Sequence, residues 1–344
     1  MSKKEIFEKK NILITGGAGF IGSHLCDRFI KGNRVICLDN FLTSQEENIN
    51  HLLANPDFEF IRHDLIKPID LEALPELKDM KINVQGIQEV YHLACPASPR
   101  DYNKYPIETL LASAYATYHA LEIARKYQTK FMLFSSSTIY GEVLDLENIH
   151  INEKYWGYVD PVGDKSCYDE GKRFAESLTR NYQKKYQLDV RIARVWNTYG
   201  PRMRLYDGRM IPDLISQAIS NEPVKIYGDI DKLTSFCYIT DLIEGIARLA
   251  KGKIFEPVNL GNSEGAKLRE VALKIIELAE SGSKLEVAPE KEGVGYVIKQ
   301  SLPDITLARE ALGWFPLVNL NDGLKKTIEY MKGLKAVDIQ SLKI

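Results

Sequence analysis

The segment Asn11-Ile12-Leu13-Ile14-Thr15 runs directly into Gly16-Gly17-Ala18-Gly19-Phe20-Ile21-Gly22, and no other stretch restricts the fold as tightly. A short apolar run that ends in glycines reads as a strand buried on both faces. Phe20 to Lys31 then reads as a helix. Strand, glycine turn and helix in this order make the opening of a βαβ unit that grips a dinucleotide. Gly16 allows the tight turn, Gly19 lets the backbone approach a pyrophosphate, and Gly22 lets the helix pack on the strand. The anion would rest on the helix N-terminus, with Phe20 and Ile21 beside it, where unpaired N–H groups and the helix dipole favour negative charge.

The second strand, Arg34-Val35-Ile36-Cys37-Leu38, ends at Asp39, 23 positions past the first glycine. A carboxylate there accepts hydrogen bonds from adenosine ribose hydroxyls. It also repels a 2′-phosphate, so NAD is expected rather than NADP. Further strands are expected at Phe58–Ile61, Glu89–Leu93 and Lys130–Phe134, with a helix over Pro106–Tyr127. This alternation predicts an α/β fold with a Rossmann-type doubly wound parallel sheet. Leu93 and Ala94 at a strand end, and Asn40 beside Asp39, join the expected cofactor set. Residues 70–88 are polar and proline-containing and read as a surface excursion.

Tyr168 and Lys172 stand four residues apart in Ser166-Cys167-Tyr168-Asp169-Glu170-Gly171-Lys172-Arg173. On a helix, i and i+4 share a face. A fixed ammonium beside a phenol favours phenolate and is expected to lower the tyrosine pKa. Such a tyrosine can take a hydroxyl proton while hydride leaves the same carbon. Ser135, Ser136 and Ser137 follow the Lys130–Phe134 strand, at the carboxyl end where open α/β sheets place ligands. A serine hydroxyl there can bridge a substrate alcohol and Tyr168.

The net charge of −2 gives no electrostatic case for nucleic acid or an anionic membrane. Five scattered cysteines without a CxxC pair suit free thiols in a reducing, cytoplasmic setting and give no zinc signature. The first ten residues lack the apolar core of a signal peptide, and no run of about 18 apolar residues predicts a membrane span. No metal site is expected.

Several longer runs resemble the extended short-chain dehydrogenase/reductase family, in its UDP-glucuronate decarboxylase branch. They include Ile14 to Arg28, Asp39-Asn40-Phe41, Arg62-His63-Asp64 and His92-Leu93-Ala94-Cys95-Pro96-Ala97-Ser98-Pro99. They continue with Ser166 to Arg173, Asn197-Thr198-Tyr199-Gly200-Pro201-Arg202-Met203, Asp207-Gly208-Arg209 and Val258-Asn259-Leu260-Gly261-Asn262. The resemblance covers Asn11 to about Lys332. It implies that Tyr168 and Lys172 are the catalytic pair with Ser136, and that Asp64, with Leu65 beside it, contacts adenine. It implies a nucleotide-diphosphate sugar held by Pro96, Ser98, Asn197, Arg202, Arg209 and Tyr238. The C4 hydroxyl would be oxidised, NADH would stay bound, the 4-keto sugar would react, and hydride would return. A homodimer through Pro106–Tyr127 and Arg173–Tyr186 is implied as well.

Three positions depart from that pattern. Thr138 stands where the decarboxylases and dehydratases carry a Glu, as in the 4-epimerases. Ser301 and Thr234 stand where an Arg is usual. Without a carboxyl group at 138, C5 deprotonation and dehydration are disfavoured. Decarboxylation of a β-keto acid demands less, so it remains the first expectation, with 4-epimerase or 4-dehydrogenase chemistry second and a weakened binding protein third. A buried sugar carboxylate still needs a cationic partner, which Arg100, Lys104 or Arg202 could supply. The expected organisation is residues 1–194 for the cofactor domain, 195–332 mainly for a smaller α/β substrate lobe that returns in part to the main sheet, and 333–344 for a tail. Within the lobe, Thr240 or Asp241 is expected to cap a helix over Leu242–Lys251.

Overall fold

The computed structural model describes residues 8–143, 150–289 and 301–341, with side chains described to residue 336. Residues 1–7 of the amino-terminal reading and 342–344 of the expected tail lie outside the described residues.

Seven parallel strands form the central sheet. They are β1 (Asn11–Thr15), β2 (Arg34–Asp39), β3 (Phe58–Arg62), β4 (Glu89–His92), β5 (Lys130–Ser136), β6 (Val190–Val195) and β7 (Val258–Leu260). Their spatial order is β7-β6-β5-β4-β1-β2-β3. The order reverses between β1 and β4, which opens a crevice at the strands' carboxyl ends. Alternation along β1 sends Ile12 and Ile14 into one apolar layer and Leu13 into the other. A strand buried on both sides must be apolar throughout its centre, as this one is.

Helix α1 (Phe20–Phe29) follows β1 and covers the first layer. Pro106–Leu111 and α2 (Thr117–Tyr127) are joined by a π turn at Ala112–Ala116, so the expected long helix is present with a widened middle. Helix α3 (Ser166–Tyr186) packs beside them. Residues 70–88 do not form a surface excursion. Leu71, Leu77, Met80, Ile82 and Ile87 are buried in the second apolar layer, and buried Asn11 donates to the Met80 and Gly86 carbonyls. Short 3-10 turns space the apolar residues irregularly, so no strand or helix period marks them as core.

The smaller lobe contains α4 (Met210–Ile219), α5 (Ile239–Lys251), α6 (Leu268–Leu278) and α7 (Leu320–Ser341). Between α5 and α6 the chain returns to the sheet as β7. Helix α7 crosses residue 333 and buries Leu324, Ile328 and Met331 against the lobe. Neither Thr240 nor Asp241 caps α5, which starts at Ile239. The Asp241 carboxylate instead accepts from the Leu317 and Val318 amides at 3.0 and 2.9 Å. All five cysteines are free. Among the described residues no helix is long and apolar enough to cross a membrane.

Candidate active site

Two adjoining cavities open at the carboxyl edge of the sheet. One is lined by Gly16, Gly19, Phe20, Ile21, Gly22, Asp39, Asn40, Asp64, Leu65, Leu93 and Ala94, the whole expected cofactor set except Tyr168 and Lys172. Those two line the second cavity, with Ser136 and Thr138. Phe20, Ile21 and Leu93 border both, so the two cavities meet.

The first cavity fits a dinucleotide. Gly16 has φ +72°, and a Cβ there would lie 2.9 Å from the Ala94 nitrogen. A Cβ on Gly22 would lie 2.2 Å from the Gly16 carbonyl oxygen, so any side chain would push α1 off the turn. No side chain caps the N-terminus of α1, which leaves its first N–H groups for an anion. Asp39 is a hub. It accepts from the Ala18 amide (3.0 Å), the Phe41 amide (3.0 Å) and the Ser44 hydroxyl (2.7 Å), and burial raises its pKa.

In the second cavity α3 lies against the end of β5. Lys172 Nζ donates to the Phe134 carbonyl at 2.8 Å and sits 5.7 Å from the Tyr168 ring centre. Ser136, whose hydroxyl oxygen accepts from the Thr138 amide at 3.3 Å, lines the same cavity as Tyr168. The Tyr168 pKa is raised, not lowered, in this structure. Burial pushes it up, while the Lys172 charge and the nearby Ser136 hydroxyl pull it down. The sequence shows the cation but not the desolvation that opposes it. Tyr102 stacks on Tyr168 with ring centres 5.3 Å apart.

The expected sugar-binding residues divide. Asn197 lines the second cavity and Arg209 lines both, and Asn197 donates to the Thr234 hydroxyl at 3.2 Å. Pro96 and Arg202 line the first cavity instead. Ser98 faces neither. It is buried as the cap of the helix Pro99–Lys104, and its hydroxyl donates to Asp101. Tyr238 also faces neither, being packed edge-on against Tyr199 ahead of α5. Each loop arginine has an acid of its own. Arg202 pairs with Asp27 at 2.6 Å, Arg204 with Asp101, and Arg209 with Asp207 at 3.0 Å. Thr138, Thr234 and Ser301 all line the second cavity, so the three departures share one wall system. Among the described residues no cluster could hold a metal ion.

A family model described as GDP-mannose 4,6 dehydratase matches residues 13–327. UDP-glucuronic acid decarboxylase 4 of Arabidopsis thaliana is 43% identical over 314 residues, covering 91% of this chain and 66% of that protein. The chain belongs to the extended short-chain dehydrogenases/reductases, in their UDP-glucuronate decarboxylase branch. It therefore spans just under two thirds of the length of that plant relative. UDP-glucuronic acid decarboxylase 1 of Danio rerio is 40% identical, covering 94% of this chain and 73% of its own length. Among solved structures, the UDP-glucuronic acid 4-epimerase of Bacillus cereus in complex with UDP-glucuronic acid and NAD superposes with a TM-score of 0.80 at 30% identity, covering 94% of this chain and 99% of that one.

Two features of this family member escaped the sequence reading. Glu176, one helical turn beyond Lys172, accepts from Ser135 and from Arg194 of β6. Arg194 reaches on to the Tyr140 hydroxyl at 3.0 Å. The four-residue spacing that singles out Tyr168 and Lys172 continues to Glu176 and could have flagged it.

Proposed function

We propose that this chain is an NAD-dependent nucleotide-sugar enzyme that oxidises C4 of UDP-glucuronate and releases its C6 carboxylate as CO2. The observation that carries this reading is the placement of Tyr168, Lys172 and Ser136 in the cavity that adjoins the glycine-lined cleft. Bound NAD supplies the hydride acceptor, and its reduced form the donor. Gly16, Gly19, Phe20, Ile21 and Gly22 hold the pyrophosphate end, and Asp39, Asn40, Asp64 and Leu65 the adenosine. Tyr168 takes the C4 hydroxyl proton, with Ser136 bridging the same oxygen and Lys172 favouring the phenolate. Asn197 and Arg209 face the nucleotide diphosphate. Once C4 is a ketone, the C6 carboxylate is β to a carbonyl, and cleavage of the C5–C6 bond releases CO2 and leaves an enolate without needing a protein acid at position 138. A proton from water at C5 and the returning hydride at C4 then complete the product.

A specific observation favours a second reading, 4-epimerisation. Thr138 Oγ1 is buried at the cavity with no protein partner. A neutral hydroxyl there suits a keto sugar that is retained and reduced again from its other face. NMR of the protein incubated with NAD and UDP-glucuronate separates the two. UDP-xylose supports decarboxylation, UDP-galacturonate supports epimerisation, and consumption of neither substrate nor cofactor sinks both.

We also infer a cytoplasmic homodimer. Ile107, Leu110, Tyr115, Tyr118 and Phe174 are large, apolar and exposed on the neighbouring helices of the 106–127 segment and α3. A face of this kind fits a second copy of the chain. The five free thiols fit a reducing compartment.

A further inference from the structure

The end of β5 faces three side chains of one helix face. Tyr168, Lys172 and Glu176 stand four residues apart on α3. Tyr168 shares its cavity with Ser136, Lys172 donates to the Phe134 carbonyl, and Glu176 Oε1 accepts from the Ser135 hydroxyl at 2.5 Å. Successive residues of a strand point to opposite faces. Pinning Ser135 on one side therefore sets the direction of Ser136 on the other.

Glu176 is itself held. Arg194 Nε donates to its Oε1 at 3.0 Å, and Nη2 to its Oε2 at 2.8 Å. The two side chains are only 10% and 12% exposed. This two-point geometry fixes the carboxylate plane. The remaining Arg194 nitrogen, Nη1, donates to the Tyr140 hydroxyl and to the Glu153 carbonyl at 2.9 Å. Tyr140 closes the turn Ser137–Tyr140 that carries Thr138. One buried ion pair thus stands behind the strand end that carries Ser136 and the turn that carries Thr138.

We propose that Glu176, clamped by Arg194, is a positioning residue that acts through Ser135 to aim the Ser136 hydroxyl at the Tyr168 phenol. It touches neither sugar nor cofactor. The inference rests on the alcohol-oxidation reading of the site, though not on which nucleotide sugar is the substrate. Its weakest link is Ser135, and cutting there spares the ion pair. Glu176→Ala would strand a buried guanidinium, so Ser135→Ala is the better probe.

The test uses the full chain with NAD bound. The Tyr168 phenol is titrated by NMR of 13C-labelled tyrosine and assigned by its absence in Tyr168→Phe. In Ser135→Ala the midpoint should rise by half a pH unit or more, because a misdirected Ser136 no longer favours the phenolate. The melting temperature should stay within 2 °C of wild type. Turnover, measured on whichever nucleotide sugar is converted, should fall about tenfold in kcat with KM changed less than twofold. An unchanged Tyr168 midpoint in Ser135→Ala overturns the proposal. So does a loss of kcat matched by an equal rise in KM. If wild type converts no UDP-glucuronate, the substrate reading fails while the titration still decides this one.

Discussion

Tyr168 shows how far one residue can be read from sequence. Its spacing to Lys172 follows from the sequence and its proposed role from helix geometry, and the structure brings both side chains to the cavity. The direction of its pKa does not follow, because desolvation depends on neighbours such as Tyr102 that are distant in the chain. Proton transfer of this kind is worth roughly 10²–10⁴-fold. Tyr168→Phe should therefore lower kcat by at least about 100-fold without loss of bound NAD, as read by single-turnover absorbance at 340 nm. Residual turnover within tenfold of wild type would remove Tyr168 from the proton step. Lys172→Met removes the charge that opposes burial, so the acid limb of the kcat–pH profile should move to higher pH. Besides its proposed ribose role, Asp39 ties together the surrounding turns, which its position past the glycines does not reveal. Asp39→Ala should weaken NAD binding in a calorimetric titration and also lower the melting temperature, since three donors of the surrounding turns lose their acceptor. Wild-type affinity in that variant would end its ribose role.

At the scale of elements, strands were the legible part. β1 to β5 appear within two residues of their expected bounds, because buried parallel strands are short apolar runs between turn residues. The loops around the sugar were less legible. Pro96, Ser98, Arg202 and Tyr238 were expected at the sugar, yet two line the neighbouring cleft and two face neither cavity. A loop arginine on its own reads as a phosphate ligand, but Asp27, Asp101 and Asp207 are acids that only the folded chain brings to the arginines. The exposed face of the 106–127 helices and α3 makes a prediction of its own. Phe174→Glu, which puts a charge into that apolar surface, should halve the mass measured by light scattering if the chain is a dimer. A wild-type mass in the variant would place the interface elsewhere.

Across the whole molecule, half-buried His24 and buried His92 both contribute to the response to acid. His24 is lowered to about 4, chiefly by burial, and bonds the Pro201 carbonyl between α1 and the 201–209 loop. His92 is lowered to about 3, again by burial, between the hydroxyls of Thr15 and Thr117. Both bind fewer protons folded than unfolded below the ordinary value of 6.5. Stability is then full above pH 6.5 and falls as pH drops toward 4. Asp213, raised to about 7 by burial, slopes the opposite way between 3.8 and 7. Denaturant titrations from pH 7 to 4 should give a shallower acid loss in His24→Asn than in wild type. Parallel curves would show that His24 is not protonated on unfolding.

The strand β7 gives the molecule a late birth. It pairs with β6 but lies more than sixty residues further along the chain, after α4 and α5 of the smaller lobe. While the ribosome is still making that lobe, β6 presents a bare apolar edge, the kind of surface that invites pairing with another nascent chain. The cofactor half is therefore not a detachable module, and a fragment stopped at residue 194 should aggregate. The edge is closed only once residues 258–260 are available to pair with it.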